Sequence, residues 1–305
     1  MEDKEVSMTA LTSAFVRAYH VMNGTPKMFN DFLAYDLLTQ EERTKMEQNL
    51  PELLKVFDPE RAASCPDQAT ALAWVIRDFL NASTLLVRAR YTEDSLETAV
   101  KHGVKQYVIL GAGMDTFAFR QPELIQQLQV FEIDHPVTQG FKRNRLMELG
   151  WQMPAQLHFI PLDFKKDSLV EALDRSSYNR HIPSFFSWLG VTYYLTREVV
   201  FATLRDIVNF SSSGSIIIFD YLDSEAFIPG KMAKNIQVMQ MIGQQLSEPL
   251  KAGFDPATIG PELEILGLRL LENLSPSDIE ERYFRRRTDG YHANEHFHLA
   301  RAMVI

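Results

Sequence analysis

The sequence predicts an α/β fold in which a doubly wound, mostly parallel sheet carries an N-terminal helical lid. From Gln106 onward, five short apolar runs alternate with stretches of helical periodicity, as in parallel strands joined by crossover helices. The first run ends in a Gly-Ala-Gly turn and the second in acids about twenty residues further on, Glu132 and Asp134. Ahead of them, from Thr9 to about Leu96, apolar residues recur only at helical spacing.

In chain order, Leu11, Phe15, Ala18 and Tyr19 mark a first helix. Phe29, Phe32, Leu33, Leu37 and Leu38 mark a second, and Leu72, Val75, Ile76 and Phe79 a longer one. Pro26, Pro51, Pro59 and Pro66 punctuate them. The predicted strands are 106–110, 129–134, 157–161, 183–188 and 215–219, with helices over about 136–149 and 197–208. Residues 221–260, rich in Met, Gln and Pro, read as an insertion over the sheet's edge. Two last strands, 268–272 and 296–305, read as a hairpin-like pair giving an antiparallel edge. The predicted organisation is a lid over 1–96 and a ligand-binding domain over 97–305.

Composition narrows the function. The 305 residues are 46% apolar and 23% charged, which suits one large α/β domain with a lid. A net charge of −9 and a pI near 5.4 exclude the broad basic surface of a nucleic-acid binder. The basic run Arg285-Arg286-Arg287 lies between acidic stretches and reads as a solvated loop. The acidic N-terminus has no signal-peptide profile, and no apolar run approaches the ~20 residues that span a bilayer. A single cysteine, Cys65, cannot form an internal disulfide, and a cytoplasmic protein without membrane contact is expected.

The glycine turn, Leu110-Gly-Ala-Gly-Met-Asp115, would sit at the carboxyl end of a central strand, where open sheets bind ligands. Gly111, Ala112 and Gly113 let a ligand approach the backbone, and a carboxylate at Glu132 or Asp134 can accept both hydroxyl protons of a ribose. NAD and an adenosyl cofactor both satisfy this pattern. Two details separate them. The third glycine of a dinucleotide fingerprint is here Thr116, and Asp115 would repel a pyrophosphate. S-adenosyl-L-methionine has no phosphate and carries an amino group that an acid suits. Of two further strand-end acids, Asp163 either binds the adenine amino group or is a helix N-cap or turn residue, and Asp220 reads as a helix N-cap or turn residue.

Several segments together resemble the leucine carboxyl methyltransferase-like family, which includes carboxyl O-methyltransferases of polyketide pathways. They are Thr9-Ala-Leu, Arg17-Ala-Tyr-His20, Phe29-Asn-Asp-Phe-Leu-Ala34 and Arg88-Ala-Arg-Tyr-Thr-Glu-Asp94. Leu110 to Thr116 with Arg120, Phe131-Glu-Ile-Asp-His-Pro136 and Trp188-Leu-Gly-Val-Thr-Tyr-Tyr-Leu195 complete the set. The resemblance implies a seven-stranded Rossmann-like methyltransferase sheet, S-adenosyl-L-methionine as cofactor, and a small-molecule methyl acceptor. It also implies that Arg88 or Arg90, with Arg90 preferred, binds the donor's carboxylate, as a guanidinium does with two parallel hydrogen bonds. Many relatives have Glu-Gly where this chain has Leu189-Gly190, so an acid near the donor is missing. Tyr194 keeps the family's position and faces either the reaction or the core.

Methyl transfer needs alignment more than acid–base help. A carboxylate acceptor needs no base, whereas a hydroxyl acceptor does. His20, His135 and His158 are the candidate bases, and spacing singles out none of them. O-methylation of a small acid or hydroxyl compound is the expected reaction, ahead of a nicotinamide-dependent oxidoreductase or a catalytically silent donor-binding module. His292-Ala-Asn-Glu-His296 matches an inverted zinc motif, but it runs into an alternating strand, so no metal is expected. Met232, Met239 and Met241 suit an adaptable substrate wall or ordinary lid packing.

Overall fold

The computed structural model describes residues 6–164, 166–246 and 248–305. Seven strands form one sheet: β1 (Gln106–Leu110), β2 (Gln129–Asp134), β3 (Leu157–Pro161), β4 (Ser184–Trp188), β5 (Ile216–Leu222), β6 (Leu268–Leu274) and β7 (Phe297–Val304). Their order is β3-β2-β1-β4-β5-β7-β6. The first five are mutually parallel, and β7 runs antiparallel to both β5 and β6. The direction of winding reverses between β1 and β4, so a crevice opens there above the strands' carboxyl ends.

The helices of the lid are α1 (Met8–Asn23), α2 (Gln40–Asn49), α3 (Glu52–Phe57), α4 (Pro59–Ala63), α5 (Gln68–Asp78) and α6 (Ala82–Lys101). Those of the sheet are α7 (Phe117–Arg120), α8 (Pro122–Ile125), α9 (Pro136–Glu148), α10 (Leu169–Asp174), α11 (Arg197–Asn209), α12 (Lys234–Gln245), α13 (Ile259–Ile265) and α14 (Pro276–Ile279). No single helix among the described residues is long and apolar enough to cross a membrane.

β1 and β4 are buried along their whole length, which explains why both are mostly apolar, with Ser184 and Ser187 of β4 the small polar exceptions. On one face Val108, Phe131, Phe186 and Phe219 pack under Val200 and Leu204 of α11 and Leu263 of α13. On the other, Tyr107, Ile109 and Phe185 pack under Leu86, Val87 and Tyr91 of α6. α6 runs through the predicted lid boundary at residue 96, so it is at once the lid's last helix and a helix of the sheet.

Three expectations change. The apolar residues at 29–38 do not form a helix. The chain there makes three-residue turns, with Asp36 N bonded to Leu33 O and Leu38 N to Tyr35 O, while Leu37 and Leu38 anchor the lid core. β5 reaches Leu222 and so takes Asp220 into the sheet. The segment after it does not lie over an edge. Ile236 of α12 packs above the strand ends with Tyr193 and Leu222, and Val238 packs on Leu54, Val75 and Phe79 of the lid.

Candidate active site

The crevice is a cavity of about 410 Å³, walled by the glycine turn, the ends of β2 and β4, and α1 and α6 of the lid. Gly111 and Gly113 hold φ of +73° and +50°, a region that penalises side chains. A Cβ on Gly111 would stand 2.5 Å from Val191 Cγ2, so only glycine fits. The amides of Gly111 and Ala112 donate to Ile133 O, that of Gly113 to Asp134, and that of Asp115 to Ala112 O. A turn whose amides are spent in this way has little left for a pyrophosphate, and Asp115 beside it adds a negative charge. A phosphate-free, amino-bearing cofactor fits these groups.

Asp134 ends β2 at the cavity wall. Its Oδ1 accepts from His135 N at 2.6 Å and its Oδ2 from Gly113 N. Burial pushes its pKa up, and those two amides oppose the rise. Each oxygen can still accept one more hydrogen bond. Glu132, the other candidate, is not in the cavity. It turns to α9, where Lys142 Nζ donates to it at 2.5 Å, and burial pushes its pKa to about 7. Asp163 does line the cavity, with Lys166 Nζ 3.4 Å and His135 Nε2 3.9 Å away.

Of the two candidate arginines, the preferred one lies outside the cavity. Arg90 lies on the exposed side of α6, paired with Asp94 at 2.8 Å. Arg88 faces the cavity, because it continues the buried stripe of Thr84, Tyr91 and Ser95. Its Nη1 donates to Asp220 Oδ2 at 2.9 Å and to the Tyr193 hydroxyl at 3.1 Å. Asp220 is therefore no turn residue but the buried counter-ion of Arg88, and it also accepts from Gly190 N at 2.6 Å.

A second group of charges, quoted above only as scattered motif residues, converges beneath the glycine turn. Arg17 Nε donates to Asp31 Oδ2 at 2.7 Å, and its Nη2 to Met114 O at 2.7 Å. Thr116 Oγ1 donates to Asp31 Oδ1 at 2.6 Å, and Arg120 pairs with Glu93. Arg17, Asp31, Glu93 and Arg120 all reach the cavity wall. This explains Thr116: its hydroxyl links turn to lid where a dinucleotide fold would place glycine.

His135 borders the cavity, whereas His20 and His158 do not. His20 is wholly buried in the lid and accepts from Met28 N at 2.8 Å, which removes it as a catalytic candidate. His158 sits on β3, stacked on Phe131. Tyr194 lines the cavity, and burial holds its hydroxyl well above 10. Leu189 lines it too, so no acid replaces the missing glutamate at that position. Of the basic run, Arg287 is not solvated: it donates to Pro26 O at 2.7 Å and pairs with Asp289. No group of three potential metal ligands occurs among the described residues.

Solved structures share this architecture. A Thermobifida fusca YX protein described as a methyltransferase superposes with a TM-score of 0.53 at 13% identity, covering 99% of this chain and 96% of that one. A DUF574 family protein from Streptomyces avermitilis MA-4680 gives 0.51 at 16% identity, covering 76% and 91%. At such identities the likeness carries the fold alone, a Rossmann-like, mostly parallel sheet flanked by helices. The family model for leucine carboxyl methyltransferase matches residues 10–208. YktD of Bacillus subtilis (strain 168), whose name places it among S-adenosyl-L-methionine-dependent methyltransferases, is 39% identical over 304 residues, 99% of each chain. The chain belongs to the leucine carboxyl methyltransferase family. The choice that the glycine turn left open between a nicotinamide and a methyl donor thereby goes to S-adenosyl-L-methionine.

Proposed function

We propose that the chain methylates an oxygen, carboxylate or hydroxyl, of a small-molecule acceptor. The observation that carries this reading is the lidded cavity in which a bare glycine turn meets the Asp134 carboxylate. Bound there, S-adenosyl-L-methionine would supply an electrophilic methyl group. Asp134 would accept from the ribose hydroxyls and Asp163 from the adenine amino group. Of the three guanidinium groups on the cavity wall, Arg17 at the glycine turn and Arg88 on the opposite wall each keep at least one nitrogen that makes no hydrogen bond among the described residues, whereas every nitrogen of Arg120 makes one. We assign the donor's carboxylate to Arg17, which already grips the turn through Met114 O, and its amino group to Asp115.

What the chain contributes to the reaction is alignment and exclusion of water. The lid closes over the cavity through Thr9, whose hydroxyl donates to Glu248 at 2.8 Å. Holding two reactants in line in this way can supply ~7–11 kcal/mol of the barrier. The test is transfer of label from methyl-labelled donor to a panel of small carboxylic acids and phenols. Label that alkali releases as methanol marks a methyl ester, and label that resists alkali marks an ether. Donor binding without transfer to any member would favour a silent donor-binding module.

A further inference from the structure

Beside the donor cavity lies a second one, of about 330 Å³, in which lid and α12 face each other. The two share a wall that includes Thr9, Ser13, Leu85, Gly190 and Tyr194, and a molecule in the second cavity that reacts with the donor does so across it. Away from that wall the lining is mostly apolar, with Phe79 from the lid and Ile236 and Met239 from α12. No histidine, lysine or carboxylate among the described residues lines it. A group that takes up a proton therefore has to reach the wall from the donor's side.

Six carboxylates line the donor cavity among the described residues, and five of them are engaged elsewhere. Asp31 is held by Arg17 and Thr116, and Glu93 by Arg120 and Gln121. Asp134 accepts from Gly113 N, Asp115 from Phe117 N, and Asp163 lies beside Lys166. Glu248, on the segment after α12, is different. Its Oε2 accepts from Thr9 Oγ1 at 2.8 Å, which brings it to the shared wall, and its charge acts on the hydroxyl of Tyr194 in the same wall. Its Oε1 makes no hydrogen bond among the described residues. The segment is pinned on both sides of the carboxylate: Glu248 N donates to Gly243 O at 2.7 Å, and Lys251 N to Tyr193 O at 2.7 Å. A Cβ on Gly243 would run into Glu248 O, so only glycine lets the chain come this close.

We propose that Glu248 is the general base of the reaction, and that the acceptor is a hydroxyl compound whose un-ionised O–H requires one. The proposal rests on the methyltransferase reading above. The acceptor's O–H donates to Glu248 Oε1 at the shared wall. Its oxygen forms the new O–C bond with the donor's methyl, whose bond to sulfur breaks and leaves the electron pair on sulfur. The hydroxyl proton passes to the Glu248 carboxylate, which is half-buried and returns it to water. Burial keeps the Tyr194 hydroxyl protonated, so it cannot take that proton instead. Because Thr9 belongs to α1, the base is held in place only while the lid is down.

The experiment measures transfer from methyl-labelled S-adenosyl-L-methionine to phenol, 4-nitrophenol and benzoate at mildly alkaline pH, in the full chain and in Glu248→Gln. The glutamine oxygen still accepts from Thr9, so S-adenosyl-L-homocysteine affinity should be unchanged. Transfer to phenol, which is un-ionised, should fall at least ~100-fold in the variant. Transfer to 4-nitrophenol, which arrives largely ionised, should fall no more than ~3-fold. A residue that merely shaped the cavity would lower both alike, so equal losses, or none on phenol, overturn the proposal. A parent chain that labels neither phenol overturns it too, and label on benzoate alone leaves the methyltransferase reading standing. Failure of S-adenosyl-L-homocysteine itself to bind overturns the donor reading beneath it, and so separates the two failures.

Discussion

The wholly buried carboxylate of Asp220 on β5 accepts from Arg88 Nη1 on α6 at 2.9 Å, joining sheet to lid where the two cavities meet. Burial pushes the Asp220 carboxyl up, and the Arg88 charge opposes that rise. Removing one partner leaves the other charged and without a counter-ion in a site that water hardly reaches. Asp220→Ala is therefore expected to cost ~3–5 kcal/mol of stability. Chemical denaturation at neutral pH reads this directly, and a loss below ~1 kcal/mol would show that the pair is not isolated from solvent.

The glycine turn gives a second expectation. Gly111→Ala puts a side chain at φ +73° and 2.5 Å from Val191 Cγ2. The left-handed backbone alone costs ~1–2 kcal/mol, and the clash adds to it. The variant should melt earlier and bind S-adenosyl-L-homocysteine at least ~10-fold more weakly, because the turn moves away from Asp134. Gly103→Ala, at φ +98° with nothing within 4 Å of the added carbon, should lose stability alone. Thermal melts and titrations on the two variants separate strain from site damage.

The two arginines of α6 part company in a third test. Arg90 is half exposed and bonded only to Asp94 on its own helix. Such a pair is worth ~0.3–0.5 kcal/mol, so Arg90→Ala should leave stability and S-adenosyl-L-homocysteine affinity within about twofold. Arg17→Ala should weaken that affinity at least ~10-fold, since a charge-assisted hydrogen bond carries ~1.5–3 kcal/mol. Equal effects of the two substitutions would contradict the assignment of the donor's carboxylate to Arg17.

Stability should fall with acid through His20. Burial, aided by the nearby positive charge of Arg287, lowers its pKa from 6.5 to about 4. On acidification the unfolded chain takes up this proton first, near pH 6.5, while the folded ring stays neutral until about pH 4. The contribution is thus complete above pH 6.5 and lost on the way down to pH 4, on the order of 3 kcal/mol in all. Unfolding free energies at pH 7 and pH 5 for the parent and for His20→Gln test this, and the variant should show a shallower decline.

The centre of the sheet was readable because β1 and β4 are buried on both faces, which writes β1 as the apolar run Tyr107-Val-Ile-Leu110. The loop at 29–38 misled because its apolar residues are buried at helix-like spacing, while Asp31 is drawn off to Arg17 and Thr116. Asp134 was legible as a strand-end acid, but Glu132 two positions earlier shares its face and was separated from it only by Lys142 on α9. The choice between Arg88 and Arg90 could have been made from sequence. Thr84, Arg88, Tyr91 and Ser95 form one helical stripe, and Arg90 falls with Asp94 and Glu97 on the solvent side. The network of Arg17, Asp31, Glu93 and Arg120 was not legible, because no local rule brings such distant charges together. The second cavity was hidden for the same reason: it exists only where α12 meets a lid coded some 150 residues earlier, as the contact of Asn235 with Asn81 shows.

Whether the Asp134 cavity holds S-adenosyl-L-methionine is decided by isothermal titration of the purified chain with S-adenosyl-L-homocysteine and with NAD. Micromolar binding of the adenosyl compound is expected, with none of NAD, and a loss of at least ~10-fold in Asp134→Asn, where one oxygen acceptor is gone. Binding of NAD instead, or adenosyl binding that Asp134→Asn leaves intact, would contradict it.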